Sequence, residues 1–271
     1  MLREIFDVDR RLRVNYKKLL SLLGTKEDLV SIVDRYLFDY AVYNQLTVDD
    51  IVQSYQVFVS RYSDDIKNFM ATQKYPVEMG KSAEFHRLDY DIALILSVVT
   101  SIHRYKIIDN IRNVAAGVGG RVAVVGAGSG LELELMNLYS PAGEIESFDL
   151  NVSGFVKKRF NAIRVFERKF LGVERQYDNI FAVELLEHLA DPYQFLSVCC
   201  SSLRNDGRLF TTTAMNVPQC DHLYNFLDDR VFENKVYEIG FKVEIKDEIP
   251  HDSINKNLNA KNTWYVLQKN K

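Results

Sequence analysis

The sequence predicts an α/β chain: a doubly wound, seven-stranded, mostly parallel sheet with an antiparallel last hairpin, preceded by a helical cap. Three observations carry that prediction. Before Gly117, glycine occurs only at Gly24 and Gly80, and apolar residues recur at helical spacing. After Gly117-Val118-Gly119-Gly120, short β-branched runs alternate with helical stretches. The last two β runs are joined by a polar stretch, Lys246 to Asn262, too poor in apolar residues for a packed crossover helix. Those two strands are therefore expected to pair antiparallel at one edge.

The 271 residues allow one large domain or one domain with a sizeable cap. The division expected is a helical, substrate-covering cap over 1–112 and an α/β domain over 113–271. Within the cap, Leu29, Ile32, Val33, Tyr36, Leu37 and Tyr40 lie on one helical face. Thr47, followed by Asp49 and Asp50, reads as the N-cap of a second helix carrying Ile51, Tyr55, Phe58 and Tyr62. Pro76 disfavours helix at Tyr75 and marks a break. A third, longer helix is expected from Phe85 through Leu88, Ile92, Ile95, Leu96 and Val99 to Ile102. Nine of the 15 tyrosines precede residue 111, mostly on these apolar stripes, where a packing role with the hydroxyl at the rim is expected.

The strands expected are Arg121–Val125, Glu144–Asp149, Ile163–Phe166, Tyr177–Val183, Gly207–Thr213, Phe241–Ile245 and Thr263–Gln268. The early ones are apolar and bounded by helices, as in a buried parallel sheet.

Composition narrows the function. Hydrophobic residues make up 47% and charged residues 26%, as in soluble globular chains. A net charge of −3 argues against a protein that lives by neutralising nucleic-acid phosphates. The cysteines Cys199, Cys200 and Cys220 form no C-x-x-C, which suits a reducing compartment and offers no zinc framework. The longest apolar-rich run, Ile92 to Ile102, is far short of the ~20 residues of a membrane span. No signal-peptide core is visible. The expectation is a cytoplasmic protein with a small-molecule partner and no membrane partner. A homodimer stays open.

The first chemical motif is strand, glycine turn, helix. Val122–Val125 runs into Gly126-Ala127-Gly128-Ser129-Gly130 and then Leu131–Leu135. Glycines permit a tight turn and a close backbone approach to a ligand, and the helix start offers free N–H groups. The third glycine comes one position earlier than in the dinucleotide fingerprint, with Leu131 at the fingerprint position, which disfavours a dinucleotide-dependent oxidoreductase. Asp149 ends the second strand, 19 residues after Gly130. A carboxylate there can accept hydrogen bonds from both ribose hydroxyls of a nucleoside. It can equally serve as a helix cap or a solvated strand end.

This stretch, with Tyr177-Asp178-Asn179-Ile180 at a fourth strand, resembles the class I S-adenosylmethionine-dependent methyltransferases of small-molecule type. The resemblance covers about residues 115 to 270. It implies a Rossmann-like sheet, S-adenosyl-L-methionine as cofactor, and methyl transfer to an oxygen, nitrogen or carbon nucleophile. It implies that Gly126, Ala127, Gly128, Gly130, Asp149, Leu150 and Glu184 bind the cofactor, Asp149 through the ribose. The adenine contact that family members often carry after the third strand has no match in Phe166-Glu167-Arg168-Lys169-Phe170.

The segment Glu184-Leu185-Leu186-Glu187-His188 is similar to an E-x-x-E-H segment of many small-molecule members. Three readings follow. Glu184 orients the cofactor while Glu187 and His188 line the active site, with His188 as a general base. Alternatively Glu184, Glu187 and His188, joined by His222, bind a divalent metal, as small-RNA 2′-O-methyltransferases of this fold do. Or Glu187 caps a helix and His188 packs on the sheet. The first reading is adopted, with His188, His222 and Glu187 as catalytic candidates and no metal. His222, in Asp221-His222-Leu223-Tyr224 after the fifth strand, is given an ordinary pKa of ~6.5, able to take a proton near neutrality. Tyr224 and Arg87 are the substrate-binding candidates. Arg87 could pair with a carboxylate of cofactor or substrate, or form a salt bridge with Glu84 or Asp91. The competing functions are a metal-dependent RNA 2′-O-methyltransferase and a non-catalytic, methyltransferase-like binding module.

Overall fold

The structure is a computed structural model that describes residues 1–23, 27–80, 85–172, 175–251 and 258–270. Glu84, named above as a partner for Arg87, and positions 252–257 of the loop before the last strand lie outside the described residues.

The helical region comprises α1 (Leu2–Val8), α2 (Arg10–Leu23), α3 (Glu27–Asn44), α4 (Val48–Thr72), α5 (Arg87–Thr100) and α6 (Ile102–Ala115). Thr47 caps α4 in a reciprocal box. Its Oγ1 accepts from Asp50 N–H at 3.2 Å, and the Asp50 carboxylate accepts from Thr47 N–H at 2.8 Å. The helix ends at Gln73 in the left-handed region, and Pro76 opens a 3₁₀ turn at Val77–Met79.

The single long helix expected from Phe85 to Ile102 is two helices. Ser101 between them is extended, at φ −136° and ψ 128°. Val98, Val99 and Thr100 are stiff β-branched residues just before the break. The Ser101 hydroxyl turns to His103 Nδ1 at 2.7 Å, a local bond that competes with helix. Helix α6 continues through residue 112 to Ala115. Its Ile107, Ile108 and Ile111 share one buried cluster with Ile92 and Ile95 of α5 and with the sheet residues Val122, Val124 and Phe181.

The sheet has seven strands, β1 (Arg121–Val125), β2 (Glu144–Asp149), β3 (Arg164–Glu167), β4 (Tyr177–Ala182), β5 (Leu203–Met215), β6 (Phe241–Pro250) and β7 (Lys261–Lys269), in the order β3-β2-β1-β4-β5-β7-β6. The first five are parallel; β7 is antiparallel to both β5 and β6. Helices α7 (Leu131–Tyr139) and α8 (Gly154–Arg159) follow β1 and β2, and α9 (Pro192–Ser202) and α10 (Asp229–Ile239) precede β5 and β6. Side chains alternate across the sheet. Val122, Val124, Phe181 and Phe210 face the α3, α5–α8 side, while Ala123, Val125, Ile180 and Leu209 face α9 and α10. Among the described residues no helix joins β3 to β4, so the expected winding is incomplete there.

Strand β6 extends five residues beyond its expected end, to Pro250. Lys246, Asp247 and Glu248 read as loop because they are charged. They lie on an exposed edge strand, where charge is compatible with pairing, and Asp247 sits opposite Trp264. Strand order reverses between β1 and β4, which opens a crevice at their carboxyl ends. Among the described residues no helix is long and apolar enough to cross a membrane.

Candidate active site

A cavity of about 530 Å³ lies in that crevice. Its floor includes Gly126 and Gly128 after β1, Asp149 at the end of β2, and Glu184, Glu187 and His188 after β4. Helices α4 and α5 roof it with Tyr55, Phe58, Tyr62, Tyr90 and Leu94. His222 closes the far side, together with His103 and His251, whose rings stack at 3.8 Å.

At one end sits the glycine turn. Gly128 adopts φ +51°, where a side chain is strained. Its N–H donates to Asp149 Oδ2 at 3.0 Å, and Asn151 N–H donates to Oδ1 at 2.9 Å. Two backbone donors thus aim the carboxylate along the cavity edge. Gly130 has a different task from the one expected. A Cβ there would lie 2.6 Å from the Tyr36 hydroxyl and 2.8 Å from Val156, so it allows α3 and α8 to approach the turn rather than lining the cavity. Ala127 is buried outside the lining. Leu150 projects beyond the end of β2, 67% exposed, and also does not line the cavity.

Arg87 lines the cavity, and its guanidinium is held by the chain. Its Nε pairs with Asp91 at 3.0 Å, Nη1 donates to the Asn151 carbonyl at 2.6 Å, and Nη2 donates to the Gly128 carbonyl. All three nitrogens serve the chain itself. Asp91 is fully buried and also accepts from the Tyr40 hydroxyl at 3.1 Å.

At the other end, Glu184 follows β4 with φ +51°, a left-handed conformation uncommon for a side-chain-bearing residue. Its N–H donates to Thr212 Oγ1 at 2.7 Å, and that hydroxyl donates back to Glu184 Oε1 at 2.8 Å. Asn262 Nδ2 reaches the same oxygen at 2.8 Å. Buried Arg104 of α6 lies 3.3 Å from Glu184 Oε2 and 3.7 Å from Glu132 Oε1. The 3₁₀ turn Leu186–His188 then brings Glu187 and His188 beside His222. One ligand-capable atom from each of these three lies within 4.8 Å of the others.

Electrostatics separate their roles. Burial, followed by the charge of Glu184, holds the Glu187 carboxyl above the usual range, against the pull of His188. For His188, burial works against the charged form, but Asp221 and Glu187 outweigh it and raise its pKa; Asp221 Oδ2 is 3.7 Å away. His222 corrects the expectation of an ordinary titration. Burial, then the charge of His188, holds it well below the usual histidine range, so it is a neutral imidazole at neutral pH. His188 Nδ1 meets the Asp221 carbonyl and His222 Nδ1 meets the Val217 carbonyl, both at 3.0 Å. A carbonyl only accepts, so each Nδ1 carries a proton and each neutral ring keeps its lone pair on Nε2.

Tyr224 is not in this site. Leu223 and Tyr224 both donate their N–H to the Glu187 carbonyl, and the Tyr224 ring packs on Tyr193 and Phe226 outside the cavity. Asn262 and Arg104 are among the participants not singled out from the sequence. Asn262 lies in the stretch read as loop. Arg104 carried a legible signal, because it falls one and two turns before Ile108 and Ile111 on the buried stripe of α6, where a cation needs a partner.

No protein-family model matches the chain, and no curated protein matches it in sequence. Solved structures match in fold. The N-methyltransferase NodS from Bradyrhizobium japonicum WM9, in complex with S-adenosyl-L-homocysteine, aligns with a TM-score of 0.51 and 12% identity, over 62% of this chain and 88% of that one. The 1,6-didemethyltoxoflavin-N1-methyltransferase of Burkholderia thailandensis, with bound 1,6-didemethyltoxoflavin and S-adenosylhomocysteine, aligns with a TM-score of 0.51 and 14% identity, over 61% and 79%. At such identities the likeness is one of architecture. The strand order, the antiparallel final hairpin and these alignments agree: this chain has the fold of the class I S-adenosylmethionine-dependent methyltransferases.

Proposed function

We propose that this chain transfers a methyl group from S-adenosylmethionine to a small-molecule acceptor held between the helical cap, residues 1–112, and the α/β region, 113–271. One observation carries the reading: a single cavity has the Gly128–Asp149 cradle at one end and Glu187, His188 and His222 at the other. Its volume, about 530 Å³, falls in the ~300–1,000 Å³ range of small-molecule sites. The residues fit the cofactor. Gly126 and Gly128 present bare backbone to the cavity, and Asp149 offers its remaining lone pairs to hydroxyls.

When bound, S-adenosylmethionine supplies an activated methyl on a sulfonium. The chain's own work is alignment, for which positioning lowers a barrier by ~7–11 kcal/mol. The turn at 126–128 and Asp149 hold the adenosyl part. Glu184, fixed by Thr212, Asn262 and Arg104, lines the cavity. His188 takes the acceptor's proton on Nε2, and Asp221 steadies the resulting imidazolium. His222 stays neutral and offers its Nε2 lone pair. Helices α4 and α5 exclude water.

Thermal unfolding with S-adenosylhomocysteine tests the reading. At ~100 times Kd the ligand adds about 2.7 kcal/mol to the stability of a chain that binds it. Wild type is expected to shift and Asp149→Ala to shift little; an unmoved wild type defeats the proposal.

A second reading adds a divalent cation at Glu187, His188 and His222. It is favoured by Glu187 Oε2, which is buried without a hydrogen-bond partner, and by the two imidazoles anchored on carbonyls through Nδ1. Two imidazoles and a carboxylate suit zinc, manganese or iron(II). Titration of the dialysed protein with Mn²⁺ or Zn²⁺ decides it: one site per chain, lost in Glu187→Gln, is the expected result, and no binding removes this reading. The roof of α4 and α5 and the net charge of −3 favour a small acceptor over RNA with or without the metal.

A further inference from the structure

Gly128 and Asn151 belong to two different connections, after β1 and after β2, yet they share both of their bridging partners. Their N–H groups are taken by the two oxygens of Asp149. Their carbonyls are taken by the two terminal nitrogens of Arg87. The guanidinium and the carboxylate therefore hold the same two residues through their carbonyls and their amides. Arg87 begins α5, and its third nitrogen is fixed to Asp91 one turn further on, itself held by Tyr40 of α3. The restraint on the cradle thus comes from the helical cap, not from the sheet that carries the two loops.

We propose that Arg87 is a positioning residue that couples seating of the helical cap to the shape of the cofactor cradle, by bridging the Gly128 and Asn151 carbonyls and so fixing the carboxylate of Asp149. The inference rests on the cofactor reading above. A planar fork with separated donors can serve two carbonyls and a carboxylate together, whereas an ammonium is a point charge that cannot span all three. With the bridge absent, ordering both loops is a cost met on binding. By linkage, a ligand in the cradle strengthens cap seating by the same factor as cap seating strengthens the ligand.

The test compares full-length wild type, Arg87→Ala and Arg87→Lys by calorimetry with S-adenosylhomocysteine and by amide hydrogen exchange. Arg87→Ala is expected to weaken binding roughly tenfold to a hundredfold, as losing charge-assisted hydrogen bonds does. It should also speed exchange at the amides of Gly128 and Asn151 while strands β4 and β5 stay protected. Arg87→Lys should recover only part of both effects, and it supplies the measurement if the alanine variant fails to fold. Weaker binding with unchanged exchange at 128 and 151 would mean that Arg87 touches the ligand itself and overturns the proposal, as would unchanged affinity. If wild type binds no S-adenosylhomocysteine but Arg87→Ala still speeds exchange at those two amides, the bridge stands and the cofactor reading falls.

Discussion

At the Gly128–Asp149 end of the cavity, Asp149, Gly128, Asn151 and Arg87 pair with one another. At the Glu187–His222 end, Glu187 Oε2, Asp221 Oδ1 and Arg104 Nε are buried without a hydrogen-bond partner. A buried polar atom left unpaired costs roughly 1–3 kcal/mol; the second end carries most of that cost, while beside the cradle Asp91 Oδ1 is likewise without a hydrogen-bond partner. The difference teaches which end is preset. The cradle's donors on Gly128, Asn151 and Arg87 are all paired within the chain, whereas the far end gathers carboxylates and imidazoles whose remaining capacity faces a cavity.

The largest effect expected falls on the far end's charge balance. Arg104 is a buried cation between Glu132 and Glu184. Arg104→Met leaves two carboxylates without it, and breaking a buried pair from one side costs about 3–5 kcal/mol. Denaturant unfolding checks this. Adding Glu132→Gln should restore part of the loss, and a neutral Arg104→Met would show that the far end is as well compensated as the cradle.

Next comes His188. His188→Asn keeps a polar side chain and removes the proposed base. Single-turnover methylation of the acceptor that wild type takes from a panel of phenols and amines should fall ~10²–10⁴-fold. Affinity for S-adenosylhomocysteine should stay within about twofold, because the cradle is built without His188. Equal loss of affinity would mean that the two ends are not separable.

How much of each end could be read from the sequence follows from the same contrast. Strand, glycine turn, helix and Asp149 are contiguous and local, so periodicity and turn chemistry exposed them. Glu187 and His188 were legible as neighbours, and His222 as a histidine after β5. The pairing of Glu184 with Arg104 was not, because it spans 80 residues and depends on the break at Ser101. Tyr224 misled because the chain after β5 has no strand or helix period: both Leu223 and Tyr224 turn their amides to one carbonyl, and the tyrosine ring packs on Tyr193 and Phe226 instead of lining the cavity. The edge strand β6 was cut short because charge at 246–248 signals loop in a buried strand but not in an exposed one.

Asp91 sharpens the comparison from the cap side. It is fully buried, and burial pushes its carboxyl up to about 6 despite Arg87 and Tyr40. The folded state therefore holds the proton more tightly than the unfolded chain, whose value is near 3.8. The stabilisation is fully present below pH ~3.8 and is lost as pH rises through ~6, a change of about 3 kcal/mol. Asp91→Asn cannot titrate. Denaturant unfolding from pH 4 to pH 7 should show wild type losing about 2.4 kcal/mol relative to that variant. A constant difference would mean that Asp91 is as well solvated as a surface carboxylate.

The smallest effect separates two cap contacts with the same turn. The Tyr36 hydroxyl donates to the Ser129 carbonyl at 2.7 Å, one residue from the carbonyl that Arg87 holds. Tyr36→Phe removes that bond and leaves the ring in place, at a stability cost of about 1 kcal/mol. Ser129 does not line the cavity, and its amide does not serve Asp149, so affinity for S-adenosylhomocysteine should move less than twofold. If Tyr36→Phe weakened binding as much as Arg87→Ala, general tightness of the cap over the turn would set the affinity. If it lowers stability alone, cradle shape is carried by the residues that share Asp149, and the cap acts on the cofactor end through one side chain.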